Sequence, residues 1–87
     1  MFECQFEIEL NGVKRTEYVT APRIFLEDRF LQAVDIANRS RVPMKVTMRV
    51  KVPIWCQYDG AWIERENTIV AVNNAYERMY PGWEDNT

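Results

Sequence analysis

The chain has 87 residues, a length that accommodates one domain with a single hydrophobic core and excludes a second domain. Apolar residues make up 47% of the chain and charged residues 28%, a balance that is typical of globular proteins and argues against intrinsic disorder. The net charge of −2 is too small for the whole molecule to attract nucleic acid or to imitate it.

The first predicted element is a β-strand over residues 2–10. Its sequence, FECQFEIEL, alternates apolar and polar side chains, so one face of the strand is apolar and the other carries a row of glutamates. Asn11 and Gly12 tolerate positive φ and therefore predict a tight hairpin. The chain returns through VKRTEYV, where the alternation fails. We expect a short or bulged edge strand, because charged residues at an edge discourage pairing with another chain.

A helix is predicted next, from about Arg23 or Leu26 to Asn38, after a start signal at Thr20 and Pro22. Its apolar side chains recur at spacings of three and four and form one stripe: Leu26, Phe30, Ala33, Val34 and Ala37. We expect this stripe to pack on one face of the sheet as part of the core.

Residues 44–58 predict the third strand, because every even-numbered side chain from Met44 onward is apolar. Pro53 interrupts this run, and we expect it to bend the strand or to divide it in two. Asp59 and Gly60 predict a second hairpin, after which residues 61–72 return as the fourth strand.

The last predicted element is a short helical turn over residues 74–80, which stops at Pro81. Tyr76 and Tyr80 share one side of this turn and are expected to pack back on the sheet. Trp83 follows as an isolated aromatic residue.

These elements predict a single small α+β domain over residues 1–87, with the order ββαββ. The expected sheet has four mainly antiparallel strands in the order 2-1-3-4, one helix packed on one face, and a short C-terminal helical turn. This order makes strands 1 and 3 neighbours, so an acidic row lies beside a basic row on the helix-free face: Glu3, Glu7 and Glu9 beside Lys45, Arg49 and Lys51. Such matching contributes about 0.2–1 kcal/mol per pair and helps to set the register.

The sequence offers little for catalysis or for metal binding. It has no His, the commonest general base, and its carboxylates show no pattern that indicates a paired site. Cys4 and Cys56 fall at apolar positions of their strands and are expected to be reduced core residues. Two separate cysteines without His do not complete a zinc site, and no calcium-binding loop is present. We predict a non-enzymatic protein without a metal or a cofactor.

A binding surface has more support. Trp55 and Trp62 are expected on the helix-free face, and large aromatic residues flanked by Arg are typical anchors of protein interfaces. The predicted partner-binding residues are Trp55, Trp62, Arg49, Lys51 and Glu64. The alternative is that these aromatic residues enlarge the core of a small domain.

We therefore predict a protein-binding module. Chains of this size and shape are common among phage and mobile-element proteins, including inhibitors that occlude a larger host complex, so a host nucleoprotein complex or a second copy of the chain is an expected partner. This association rests on size and shape alone. The less favoured alternatives are a single-stranded DNA- or RNA-binding domain that uses the same face, and a structural assembly subunit.

The expected location is the cytoplasm. No basic segment precedes an apolar run at the start of the sequence, and the longest aliphatic run, residues 69–72, is too short to cross a bilayer.

Overall fold

The structure, a computed structural model, describes residues 1–50, 61–65 and 67–86, and for residues 61–65 and 86 it describes the backbone alone. The described elements are β1 (Phe2–Leu10), β2 (Val13–Ala21), α1 (Arg23–Arg39), β3 (Met44–Val50), β4 (Ala61–Arg65), β5 (Thr68–Val72), α2 (Asn74–Met79) and a 3-10 turn (Trp83–Asn86). The strands form one antiparallel sheet in the order β2-β1-β3-β5-β4.

The predicted α+β fold and the strand order 2-1-3-4 are confirmed, with β5 as the strand beside β3. The prediction of one continuous strand over residues 61–72 is wrong. Asn67 has a φ of 66°, in the left-handed region that Asn tolerates, and Arg65 pairs with Thr68 across this turn. The first half of the segment consequently folds back as the edge strand β4. The predictions for Pro53 and for a hairpin at residues 59–60 lie outside the described residues.

β2 occupies a sheet edge as predicted, but it is neither short nor bulged. All of its nine residues pair with β1, from Val13 opposite Leu10 to Ala21 opposite Phe2. Charged side chains break the alternation without disturbing the backbone, because main-chain groups make the ladder and the side chains of this strand remain largely in water. The alternation of a sequence therefore reports burial better than it reports strand length.

α1 packs on the face that we call the helix face. Its buried residues are those of the predicted stripe: Leu26, Phe30, Val34 and Ala37. They share one buried cluster with the even-numbered side chains of β3, among which Val46 and Met48 are fully buried. The other members of this cluster in the sheet are Cys4, Phe6, Ile69 and Ala71. Neither helix in the described ranges is long and apolar enough to cross a membrane.

The opposite face, which we call the second face, is covered only in part. α2 and the 3-10 turn place Tyr76 and Trp83 on Val70 and Val72 of β5 in a second buried cluster. The prediction that Tyr76 packs on the sheet is confirmed, and Trp83 is buried with it. The same prediction for Tyr80 is wrong, because Tyr80 ends the short helix and is 41% exposed. This cover is needed because β5 carries apolar side chains on both faces, as the continuous run IVAV indicates.

Asn73, the residue before α2, is buried and uses its whole amide. Its Oδ1 atom accepts hydrogen bonds from the main-chain N–H groups of Tyr76 (2.9 Å) and Met44 (3.1 Å). Its Nδ2 atom donates to the carbonyl oxygens of Ala37 (2.9 Å) and Val42 (2.8 Å). One side chain therefore joins the end of α1, the loop after it, the start of β3 and the start of α2.

Replacement of this residue tests its importance. Asn73→Ala is expected to lower the free energy of unfolding by about 3 kcal/mol, because it removes a helix cap and leaves buried main-chain groups without partners. Asn74→Ala is the matched control, since Asn74 is exposed, and it should change stability by less than about 0.5 kcal/mol. Denaturant unfolding followed by circular dichroism measures both, and equal stabilities for the two variants would contradict the role of Asn73.

Candidate binding surface

The uncovered part of the second face carries a row of side chains that crosses four strands. Tyr18 of β2 pairs with Gln5 of β1, Gln5 pairs with Arg49 of β3, and Arg49 pairs with Thr68 of β5. Paired positions in a sheet project to the same side, so these four residues form one continuous strip. We call it the Tyr18–Thr68 strip. With Glu3 and neighbouring main chain, it lines a concavity of about 660 Å³.

The strip is accessible because α2 and the 3-10 turn cover the sheet near Val70 and Val72, farther along β5. Tyr18 is 78% exposed, and Arg49 is exposed as well. The phenol ring of Tyr18 thus presents a large amphipathic surface next to a guanidinium group on the same face.

The charge match between β1 and β3 is present but does not extend along the whole strand pair. Glu9 lies directly between Lys14 of β2 and Lys45 of β3, and its carboxylate is 3.9 Å from Lys14 Nζ. The next acidic residue, Glu7, faces Thr47 instead of a basic residue. The prediction that the acidic row of β1 lies beside the basic row of β3 is therefore confirmed. Among the described residues, one acidic and one basic side chain are directly opposite each other, Glu9 and Lys45.

Arg49 differs from Lys45 in its surroundings. Its neighbour on each side in the sheet is uncharged, Gln5 on β1 and Thr68 on β5. Lys45 is half-buried, and burial lowers its pKa while Glu9 opposes this effect. Arg49 is therefore the basic residue of described β3 that is exposed and has no charged residue directly opposite it.

Tyr76 shows how the covered end of the second face is held together. Burial raises the pKa of its phenol to about 12, and the negative charge of Glu9 and a hydrogen bond between the two side chains act in the same direction. The Tyr76 ring also lies 4.7 Å from that of Tyr80, measured between centroids. Glu9 consequently links the sheet to α2 as well as to Lys14.

Cys4 behaves as the predicted core residue. It is a buried free thiol, and burial raises its pKa to about 11, an effect that the positive charge of Arg29 only partly opposes. A thiol with so high a pKa is protonated near neutral pH and is a poor nucleophile. The prediction for Cys56 lies outside the described residues. Among the residues whose side chains are described, no group of three or more Cys, Asp or Glu is arranged to hold a metal ion.

The structure describes the five predicted partner-binding residues to different extents. Arg49 lies exposed on the second face, as expected. Trp55 and Lys51 lie outside the described residues. Trp62 and Glu64 belong to β4, whose backbone pairs them with Ala71 and Ile69 of β5, and their side chains are not described. Because Ala71 and Ile69 face α1, this register places positions 62 and 64 on the helix face and not beside Arg49, so it does not support the grouping of all five residues on one face.

Sequence reasoning overlooked Tyr18 and Gln5, although a signal was available. The hairpin at Asn11 and Gly12 sets the register between β1 and β2, and this register places Tyr18 opposite Gln5 on the polar face of β1. Because apolar and polar side chains do not alternate in β2, the pattern of that strand alone does not assign Tyr18 to a face.

Comparison of the chain with models of known protein families, with curated proteins and with solved structures finds no match. Function must therefore be inferred from the chemistry of the surface.

The raised pKa of Tyr76 predicts how stability depends on alkaline pH. Unfolded tyrosine loses its proton near pH 10 and folded Tyr76 near pH 12, so between these values the folded state binds more protons than the unfolded state. The contribution of Tyr76 to stability is complete below about pH 10 and is lost as the pH rises towards 12.

Tyr76→Phe should remove this contribution to the pH dependence. We expect the free energy of unfolding of the wild type to fall more steeply than that of the variant between about pH 10 and 12. Below about pH 9 the difference between the two proteins should stay constant, which serves as the internal control. Parallel curves across the alkaline range would show that Tyr76 titrates alike in both states. Urea unfolding at a series of pH values measures both slopes.

Proposed function

We propose that this chain is a non-enzymatic protein-binding module that contacts its partner through the uncovered part of the second face. The observation that supports this most directly is the exposure of Tyr18, 78% accessible, beside Arg49 in a shallow concavity. Tyrosine and arginine are enriched among the residues that contribute most binding energy in protein interfaces. Gln5 and Thr68 lie between and beside them and supply hydrogen-bonding groups.

The charges of this face favour a protein over a nucleic acid. Within β1, β2 and β3, the second face carries as many acidic as basic residues: Glu3, Glu7 and Glu9 against Lys14, Lys45 and Arg49. Binding to a phosphate backbone depends on an excess of basic groups. A balanced surface with an aromatic anchor is typical of a protein interface.

Two further residues are proposed as parts of the same interface. Lys51 follows Arg49 by two positions in the chain, and Trp55 follows soon after. Trp55 would add aromatic area that a stable complex needs, since the strip itself is small. The predicted residues Trp62 and Glu64 are left out of this proposal, because β4 pairs positions 62 and 64 with Ala71 and Ile69 of the helix face.

The proposed mode of action is occlusion. A small domain with one binding face can inhibit a larger assembly by covering a surface through which that assembly acts. Such inhibition requires no catalytic step. The proposed target is therefore a larger protein complex of a host cell, and a phage or mobile-element origin fits the size and shape of the chain.

The first experiment compares the strip with a surface on the other side of the molecule. The tagged chain is used to capture proteins from a lysate of its native host, and the captured protein is then purified for titration. Tyr18→Ala combined with Arg49→Ala should weaken its binding by about 30-fold or more, the loss expected for interface anchors. Ile24→Ala is the matched control, because Ile24 is 64% exposed on α1.

Two outcomes of this comparison are informative. Loss of binding in the double variant, with binding retained in the control, supports the assigned surface. Equal binding by all three proteins shows that the partner contacts another surface. A further variant, Trp55→Ala, tests in the same way whether this tryptophan belongs to the interface.

Titration with short fluorescent oligonucleotides separates this proposal from the nucleic-acid alternative. We expect no binding of single-stranded DNA or RNA at low salt, because Glu3 and Glu7 lie beside the strip. Binding that weakens steeply as the salt concentration rises would instead support a nucleic-acid-binding domain that uses Arg49 for phosphate and Tyr18 for stacking.

A further inference from the structure

The outer side of β2 presents main-chain hydrogen-bonding groups in a regular pattern. The Asn11 N–H donates to the Pro43 carbonyl at 2.9 Å, so the odd-numbered residues along β1 are directed towards β3. Even-numbered residues of β1 therefore bond to β2, through partners that are odd-numbered there. The amides and carbonyls of the even-numbered residues of β2 consequently point away from the sheet: Lys14, Thr16, Tyr18 and Thr20.

This edge lacks the devices that usually prevent strand pairing. β2 is nine residues long, has no bulge and contains no proline, and no strand lies beside its outer side in the part of the chain that the structure describes. Its charged side chains are the remaining protection. Whether they repel or attract a second strand depends on the register.

One register turns these charges into matched pairs. In an antiparallel, two-fold arrangement centred on Thr16, this residue lies opposite Thr16 of a second copy, and Lys14 lies opposite Tyr18 of that copy. These residues direct their main-chain groups outward, so each pair can exchange two hydrogen bonds. Arg15 then lies opposite Glu17 of the second copy, and Glu17 opposite its Arg15. Both are non-hydrogen-bonded positions, where facing side chains are closest and opposite charges stabilise the pairing.

The neighbouring registers are worse. A two-fold centre at Lys14, Arg15 or Glu17 places that residue opposite its own copy and so opposes like charges. A centre at Tyr18 or later shortens the overlap and leads the pairing into Pro22, which has no N–H group to donate. The register centred on Thr16 is therefore selected by charge and by length together.

Exposed apolar residues on the helix face lie along the same edge. Arg29 of α1 forms an ion pair with Glu17 and lies 5.6 Å from the ring centroid of Phe6, which shows that this flank of α1 faces β2 and β1. Phe25 lies one turn before Arg29 and Ile36 two turns after it, so they share this flank. They are 62% and 58% exposed.

The sheet adds to this apolar region. Leu10 and Val13 are exposed on the helix face of the first two strands, and with Phe6 and Ile8 they line a concavity of about 710 Å³. In the register centred on Thr16, Val13 lies opposite Val19 of the second copy. A two-fold axis perpendicular to the sheet places both copies of α1 on the same side, so their apolar flanks line one channel above the paired strands.

We propose that two copies of this chain associate through β2, in the antiparallel register centred on Thr16, to form one sheet that continues through both. Tyr18 takes part in this self-association through its main chain and in the proposed partner surface through its side chain. Charge reversals at Arg15 and Glu17 lie on the helix face, so they test the self-association without changing the partner surface.

Complementary charge reversals test the register directly. Arg15→Glu gives a strand edge with two facing acidic positions, and Glu17→Arg gives one with two basic positions. Each variant alone is expected to dimerise at least about tenfold more weakly than the wild type, because like charges then lie opposite each other. An equimolar mixture of the two variants should recover the association, since every pair in the mixed dimer joins opposite charges. Sedimentation equilibrium measures these constants against a monomer mass of 10.4 kDa.

Two further variants distinguish pairing through β2 from a general effect of net charge and from loss of the fold. Asp28→Arg makes the same change in net charge as Glu17→Arg on an exposed position of α1, and it should dimerise like the wild type. Thr16→Pro removes an outward-facing N–H without removing a bond to β1, and it should be folded by circular dichroism and monomeric by sedimentation equilibrium. A wild type that stays monomeric up to millimolar concentration would overturn the proposal. So would folded single variants that do not associate when mixed.

Discussion

The buried amide of Asn73 is the contact on which the arrangement of this small domain depends. Four main-chain groups meet at this one side chain, and it is the partner of the N–H groups of Met44 and Tyr76. Because both the oxygen and the nitrogen of the amide are used, no other side chain of similar size offers the same two donors and two acceptor positions. The end of α1, the start of β3 and the start of α2 are thereby held in one relative geometry.

That geometry decides which part of the second face is covered. α2 begins directly after Asn73, so Tyr76 and Trp83 fall on the apolar outer side of β5 and not on β1 or β2. This cover buries the apolar side chains that β5 carries on the second face, in addition to those it carries on the helix face. The rest of the face stays accessible, and the position of the proposed binding strip is a consequence of where this cover ends.

Lys45 and Arg49 look equivalent in the sequence, but one lies near the covered part of the second face and the other on its uncovered part. Lys45 lies near the covered end, is partly buried, and faces Glu9, which also interacts with Lys14 and Tyr76. Arg49 lies beyond the cover and faces an uncharged residue on each side. One basic residue therefore contributes to the internal structure, while the other stays exposed on the same face as the ring of Tyr18.

The two edge strands of the sheet, β2 and β4, are also determined by features that the alternation of the sequence does not show. β2 pairs along its whole length with β1, so its charged side chains do not shorten it, and two of them, Lys14 and Glu17, form ion pairs with Glu9 and Arg29 within the chain. The opposite edge is β4, which exists because the chain reverses at Asn67. A short turn signal thus decides whether residues 61–72 make one strand or two.

Local patterns determined most of the fold. Alternation identified β1 and β3, the spacing of three and four identified α1, and the Asn11–Gly12 hairpin set the register of the first strand pair, because these signals depend on neighbouring residues alone. Burial of Cys4 also followed from its position in β1. Sequence reasoning was less successful where two segments that are distant in the chain compete for the same surface.

The candidate surface shows this limit. Arg49 was identified from its position in the basic row, but Tyr18 was not, because its exposure depends on what covers the sheet and not on its neighbours in the chain. The sequence alone determined which side chains share a face within a single strand, since backbone periodicity is local. Only the tertiary structure decided which of those side chains are buried beneath α2 and which stay exposed, since that depends on where Asn73 anchors the C-terminal segment.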